Sequence, residues 1–132
     1  MKKIFVNGCF DILHRGHIEL FRYAKSLGAY LLVGIDSDYR VKQLKGEFRP
    51  INGEKDRKFM LESIRHIDEV VIFNTSTDLE NVVKKYSPDV MVLGSDYRDK
   101  TIIGSEYAKE LKFFERIDEY STSRTIKNIS NR

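Results

Sequence analysis

Residues 30–35, Tyr-Leu-Leu-Val-Gly-Ile, form an unbroken apolar run of strand length. A run of this kind is expected of a strand buried on both faces, and such a strand needs helices above and below its sheet. The rest of the chain supplies that arrangement. Strand-like segments at 4–7, 30–35, 69–73 and 89–93 alternate with helical patterns. The first helix is expected over 17–27, with Leu20, Phe21, Ala24 and Leu27 on one face and Gly28 as its C-cap. A second is expected over 53–67, with Met60, Ile64 and Ile67 on one side. A third, over 77–86, has Thr77 or Asp78 available as a cap and Ser87-Pro88 to stop it. Gly94 ends the fourth strand. A helix around 105–111, a short strand around 112–117 and a last helix starting near 121–123 follow.

Strands alternating with helices imply βαβ units and a mainly parallel sheet. The expected fold is α/β: a Rossmann-like, doubly wound, mainly parallel sheet with helices on both faces. The 132 residues suit one domain spanning 1–132. In such sheets ligands bind beyond the carboxyl ends of the strands, where strand order reverses. That directs attention to 8–17, 36–49, 74–77 and 94–100.

Composition removes several other classes. With 41% hydrophobic and 33% charged residues, the balance is that of a soluble globular chain. No apolar run approaches the roughly 20 residues a membrane-spanning helix needs, and the first residues lack a signal-peptide pattern. The single cysteine, Cys9, cannot form an internal disulfide. A cytoplasmic location is therefore expected. A net charge of +3 does not argue for nucleic acid as a partner.

The segment after the first strand reads Asn7-Gly8-Cys9-Phe10-Asp11-Ile12-Leu13-His14-Arg15-Gly16-His17. A helix N-terminus attracts phosphate through its free N–H groups and dipole. Imidazole N–H groups add donors that follow charge as it develops on phosphate oxygens. Gly16 allows close backbone approach, and Gly8 leaves room at the strand end. A bare His-x-Gly-His is as often a surface accident. Here strand, Gly-x-Phe-Asp, His-x-Gly-His and helix occur in order.

Gly8-Cys9-Phe10-Asp11 followed by His14-Arg15-Gly16-His17 resembles the signature of the cytidylyltransferase-like nucleotidyltransferases. The resemblance extends along nearly the whole chain. It implies a Rossmann-like fold and transfer of a nucleoside monophosphate from an NTP to a small phosphorylated substrate, with release of pyrophosphate. It assigns His14 and His17 to the triphosphate and the transition state, and Gly8, Cys9, Phe10, Asp11 and Gly16 to the nucleotide. Lys45, in the basic stretch Lys42 to Asn52, matches the family's phosphate-binding loop lysine, with Lys42 as second choice. Asp11, Arg49 and Arg57 are assigned to the acceptor substrate. Gly94 and Asp96 keep the family's Gly-x-Asp near ribose or base. Ser121-Thr122-Ser123 resembles the element that binds the β- and γ-phosphates, and Arg124 adds charge there. Arg116 has the spacing of an arginine in the glycerol-phosphate branch, but Ile117 to Tyr120 depart from that branch's motif.

Leu44-Lys45-Gly46-Glu47-x-Arg49-Pro50-Ile51-Asn52 and Gly94-x-Asp96-Tyr97 resemble the branch that makes ADP-heptose from heptose 1-phosphate. That domain is often fused to a sugar kinase. The alternative branch is glycerol-3-phosphate cytidylyltransferase, which makes CDP-glycerol. A catalytically silent nucleotide-binding module is the alternative of another class, but His14, His17 and Lys45 are all present. A receiver-like signalling domain would need an acidic cluster after the first strand, which Asp11 alone does not supply. The acceptor phosphate is already ionised, so no general base is needed, and positioning and charge stabilisation carry the reaction. Mg²⁺ is the expected cofactor, held mainly by the nucleotide, and no protein metal site is expected. Cys9 reads as a packing residue. A homodimer is implied by the resemblance alone.

Overall fold

The computed structural model describes residues 1–94, 101–115, 126, 127 and 129. Five strands form one sheet: β1 (Lys3–Gly8), β2 (Tyr30–Asp36), β3 (Glu69–Phe73), β4 (Val90–Gly94) and β5 (Glu110–Phe114). Their order is β3-β2-β1-β4-β5, and every pairing is parallel. Strand order reverses between β1 and β4, so the ligand crevice expected of a doubly wound sheet lies at their carboxyl ends. The register sets Gly8 beside Ile35, which brings the motif after β1 level with Asp36 at the end of β2.

Among the described residues, helices α1 (Arg15–Ser26), α2 (Asp38–Lys45), α3 (Glu54–Glu62) and α4 (Ser76–Tyr86) accompany the sheet. Side chains alternate across each strand and divide the core. Ile4, Val6, Leu31, Val33 and Ile35 pack with Phe21 and Ala24 of α1 and Leu61 of α3. Phe5, Leu32, Met91 and Leu93 pack on the other side with Leu79 and Val83 of α4. The apolar face read for α1 lies where expected, with Leu20 and Leu27 against the same core.

Several local expectations are corrected. Leu27, not Gly28, caps α1; an added Cβ on Gly28 would lie 2.8 Å from the Lys2 carbonyl, so close packing requires glycine there. The 53–67 helix stops at Glu62. Met60 is turned outward, while Arg57 and Leu61 face inward. Thr75 caps α4 by accepting the Asp78 N–H at 3.0 Å, ahead of Thr77 and Asp78. The 105–111 helix is only a 3-10 turn at Ser105–Tyr107, and β5 begins earlier than read. The loop expected over 42–52 begins only after Lys45, because a helix, α2, occupies 38–45. Its polar composition hid it: one side chain, Val41, is buried, and Ser37 caps it by accepting the Arg40 N–H.

Candidate active site

His14 is the N-cap of α1, and its conformation follows from local chemistry. Its Nδ1 accepts the Gly16 N–H at 3.0 Å, and the His17 Nδ1 accepts the His14 N–H at 3.2 Å. The two histidines thus form a reciprocal capping box in place of the usual Ser and Glu. Their rings stack with centroids 3.8 Å apart. Because each Nδ1 accepts a backbone N–H, each neutral ring carries its proton on Nε2. The capping box therefore sets the tautomer of two stacked imidazoles at a helix N-terminus.

Phe10 supports this pair from beneath. Its backbone takes φ 50°, a left-handed conformation unusual for a bulky residue. Its ring meets His17 edge-on at 5.4 Å and Phe21 at 5.0 Å. The ring also lies over Gly8, where an added Cβ would come within 2.9 Å of it. Gly8 is therefore needed for Phe10 to pass, and Phe10 is a buried support for His17.

Asp11 and Arg57 are placed differently from the reading given to them. The Asp11 carboxylate is fully buried. It accepts the Ile51 N–H at 2.7 Å, the Asn52 N–H at 2.8 Å and Arg49 Nε at 3.2 Å. Its own carbonyl accepts Asn52 Nδ2 at 2.9 Å. Asp11 thus fastens the 49–52 segment, which includes a cis peptide at Arg49-Pro50, to the motif after β1. Arg57 is 1% exposed. It donates to the carbonyls of Asn52, Cys9 and Asp36 and to the Asp38 carboxylate, at 2.7 to 3.0 Å. With those donors engaged and no exposed surface, Arg57 is a rivet between the ends of β1, β2 and α2. Asp11 and Arg57 thus bond the protein's own groups and do not line the cavity beside Gly8.

Beside Gly8 and Cys9 opens a cavity of ≈ 250 Å³. Gly94 at the end of β4 and Asp36 at the end of β2 border it, so it sits at the point where strand order reverses. Arg40, Leu44 and Lys45 of α2 form one wall; Leu79, Leu93 and Ile103 contribute apolar surface. Lys45 is exposed in the last turn of α2. Its charge pulls down on both the Cys9 thiol and the Asp36 carboxyl. Burial outweighs that pull and raises Cys9 above the ordinary thiol value, so Cys9 is a neutral thiol at pH 7. Burial likewise raises Asp36, against the hydrogen bond from Arg40.

The sequence reading missed Asp36 and Arg40. Asp36 ends β2 and Arg40 lies in the first turn of α2, so the pair forms across the strand-to-helix turn, which no helical period in the sequence marks. Asp96, Ser121, Thr122, Ser123, Arg124 and Arg116 lie outside the described residues. Among the described residues, no group of three or more His, Cys, Asp or Glu is arranged to hold a metal ion. A Mg²⁺ brought by a nucleotide would draw its ligands from phosphate and water.

The sequence profile of the cytidylyltransferase-like family matches residues 5–130. The chain belongs to that family. It is a nucleotidyltransferase, and the paired histidines at the switch point fit that chemistry. It is 49% identical over 128 residues to the bifunctional protein HldE of Helicobacter pylori (strain Shi470), and 46% identical over 126 residues to that of Campylobacter fetus. These alignments cover 97% and 96% of this chain but 27% of each relative, so the chain spans about a quarter of their length. Among solved structures, a lipopolysaccharide core biosynthesis protein from Thermoplasma volcanium superposes with TM-score 0.70 at 25% identity, over 88% of this chain and 96% of that one. Pantothenate synthetase from Thermus thermophilus shares the fold at TM-score 0.62 and 14% identity, over 97% of this chain and 64% of that one. No helix among the described residues is long and apolar enough to cross a membrane.

Proposed function

We propose that residues 1–132 act as one adenylyltransferase domain that joins ATP to a sugar 1-phosphate of the heptose type. The observation that carries the reading is the stacked His14–His17 pair, fixed as Nε2–H donors by its own capping box at the start of α1. The similarity to proteins named HldE and the Leu44 to Asn52 string support the heptose-type branch over the glycerol-phosphate branch. That those relatives are named bifunctional agrees with a domain of the kind that is often fused to a kinase.

The triphosphate is held over the N-terminus of α1, with Gly16 allowing close approach. The acceptor occupies the cavity across Gly8 and Cys9, its phosphate near Lys45. One acceptor phosphate oxygen attacks the α-phosphorus in line. An O–Pα bond forms, the bond from Pα to the bridging oxygen breaks, and pyrophosphate leaves with that electron pair. His14 and His17 donate to the oxygens on which charge grows, and Lys45 neutralises phosphate oxygens. Gly94, Asp96, Ser121, Thr122, Ser123 and Arg124 are proposed to hold the nucleotide, and Arg49 to steady the acceptor side. Mg²⁺ carried by the nucleotide supplies further charge neutralisation.

The domain is proposed to work in the cytoplasm, where ATP and sugar phosphates are made. It is also proposed to pair with a second copy. Large apolar side chains are exposed between α2 and α3, with Leu44 at 63%, Phe48 at 90% and Phe59 at 69% exposure, which supports a covered face there.

The test is pyrophosphate release by purified protein with Mg²⁺, crossing ATP, CTP, GTP and UTP with heptose 1-phosphate, glycerol 3-phosphate, phosphocholine and flavin mononucleotide. Release with ATP and heptose 1-phosphate is expected. Release confined to CTP and glycerol 3-phosphate would move the protein to the other branch. No release with any pair would point to a binding module, which nucleotide calorimetry would then detect.

A further inference from the structure

One polar pair bordering the cavity has no role in the mechanism proposed above. Asp36 Oδ1 accepts Arg40 Nε at 2.8 Å. Both side chains are mostly buried, at 13% and 15% exposure. Arg40 is itself held in place: its Nη1 donates to Ser76 Oγ at 3.3 Å, and its guanidinium lies 5.4 Å from the centre of the Phe73 ring. The second oxygen of Asp36, Oδ2, has no hydrogen-bond partner among the described residues. It does not belong to the fully buried atoms left without a partner, and Asp36 borders the cavity. A carboxylate oxygen facing a cavity, with its sister oxygen clamped by a fixed arginine, is an acceptor in search of hydroxyl donors. Leu79, Leu93 and Ile103 line the same cavity and suit the C–H faces of a carbohydrate ring.

We propose that the Asp36–Arg40 couple is the specificity determinant for the acceptor, reading hydroxyl groups of a polyhydroxylated sugar phosphate while Lys45 holds its phosphate. This rests on the transferase reading for the identity of the acceptor, but the binding claim stands on the cavity itself. Lys45 and the couple lie on the same wall, so one ligand spans both. Asp36 accepts from hydroxyls through Oδ2. Arg40 keeps the carboxylate oriented and charged against the burial that favours its neutral form. An acceptor without hydroxyls would leave Oδ2 desolvated and unpaired, which is how such a site rejects an analogue.

Asp36→Asn tests this directly. The amide oxygen can keep the bond from Arg40, while the amide nitrogen turns the cavity-facing acceptor into a donor. The KM for heptose 1-phosphate should rise about tenfold or more, with the KM for ATP within about twofold of wild type. Arg40→Lys keeps a cation beside Asp36 but removes the planar fork, and should shift the same parameter in the same direction. Melting temperatures near wild type would exclude unfolding as the cause. Calorimetric titration of heptose 1-phosphate into wild type and Asp36→Asn gives a readout independent of turnover. If wild type binds the sugar phosphate through Asp36 but releases no pyrophosphate with any pair, the transferase reading fails and this inference stands. An unchanged acceptor KM and affinity in both variants would overturn the inference. So would a rise confined to the KM for ATP, which would make the couple part of the nucleotide site, or a wild type that binds no sugar phosphate.

Discussion

His17 has a structural job and a proposed chemical one. Its Nδ1 closes the capping box on the His14 N–H, and its Nε2–H is the proposed donor to phosphate. His17→Ala is expected to cost about 1 kcal/mol of stability through the lost cap. It should lower the turnover of pyrophosphate release by about 100-fold or more through the lost donor. Steady-state kinetics and thermal melts on the same preparation check both, and near-normal turnover would defeat the proposed role. Arg57 makes the opposite case. Its guanidinium is buried and bonded to three carbonyls and a carboxylate. Arg57→Met strands those acceptors and should destabilise the protein by about 3 kcal/mol, read by urea unfolding. A residue that served only to bind substrate would instead raise a KM and leave unfolding unchanged.

At the scale of elements, α2 decides where Lys45, the lysine proposed to bind phosphate, sits. The helix ends at Gly46, whose φ of 107° and ψ of 168° lie in a region essentially reserved for glycine. An added Cβ there meets no atom within 4 Å, so the obstacle to substitution is conformational and not spatial. Gly46→Ala is expected to destabilise by about 1–3 kcal/mol and to displace the end of α2. Since Lys45 is the adjacent residue, the KM for the acceptor should rise together with the fall in melting temperature. A variant with unchanged melting and kinetics would show that the chain takes another path after Lys45. The loop expected over 42–52 holds from Gly46 on, but its first four residues belong to α2, which buries only Val41 and carries polar residues on its other faces. Its periodicity is therefore too weak to show in the sequence.

For the whole molecule, Asp89 joins the two halves of the sheet at the edge opposite the site. It accepts the Lys3 N–H at 2.8 Å, at the start of β1, and Lys109 Nζ at 3.2 Å, just before β5. The Lys3 N–H, followed by Lys109, holds its carboxyl below the ordinary aspartate value. A carboxyl depressed in the folded state stabilises the fold fully above its unfolded value of about 4. That contribution is lost as pH falls below this value and through the lower folded-state one. Thermal melts of wild type and Asp89→Asn should therefore differ at pH 6 and converge toward pH 3. A constant difference across that range would assign the stabilisation to some other group.

The individual strands and helices and the histidine motif were legible because their patterns lie within a few residues, although the sheet pairs β1 with strands as far along the chain as β4. Strand and helix periods write themselves into neighbouring positions, and the capping box closes between residues three apart. The family signature added the roles of His14, His17 and Lys45, and no rule of local structure would have named them. Asp11, Arg57 and the Asp36–Arg40 couple needed the folded chain. Asp11 meets Asn52 across 41 positions and Arg57 meets Cys9 across 48. The same residue types on an open surface would serve as ligands for phosphate or sugar. Burial decides between the two fates: a charge cut off from water must be satisfied by the protein's own backbone, while one that borders a cavity keeps an atom for a ligand. Which charges were enclosed and which were left facing the cavity was settled by the packing of α2 and α3 against the strand ends.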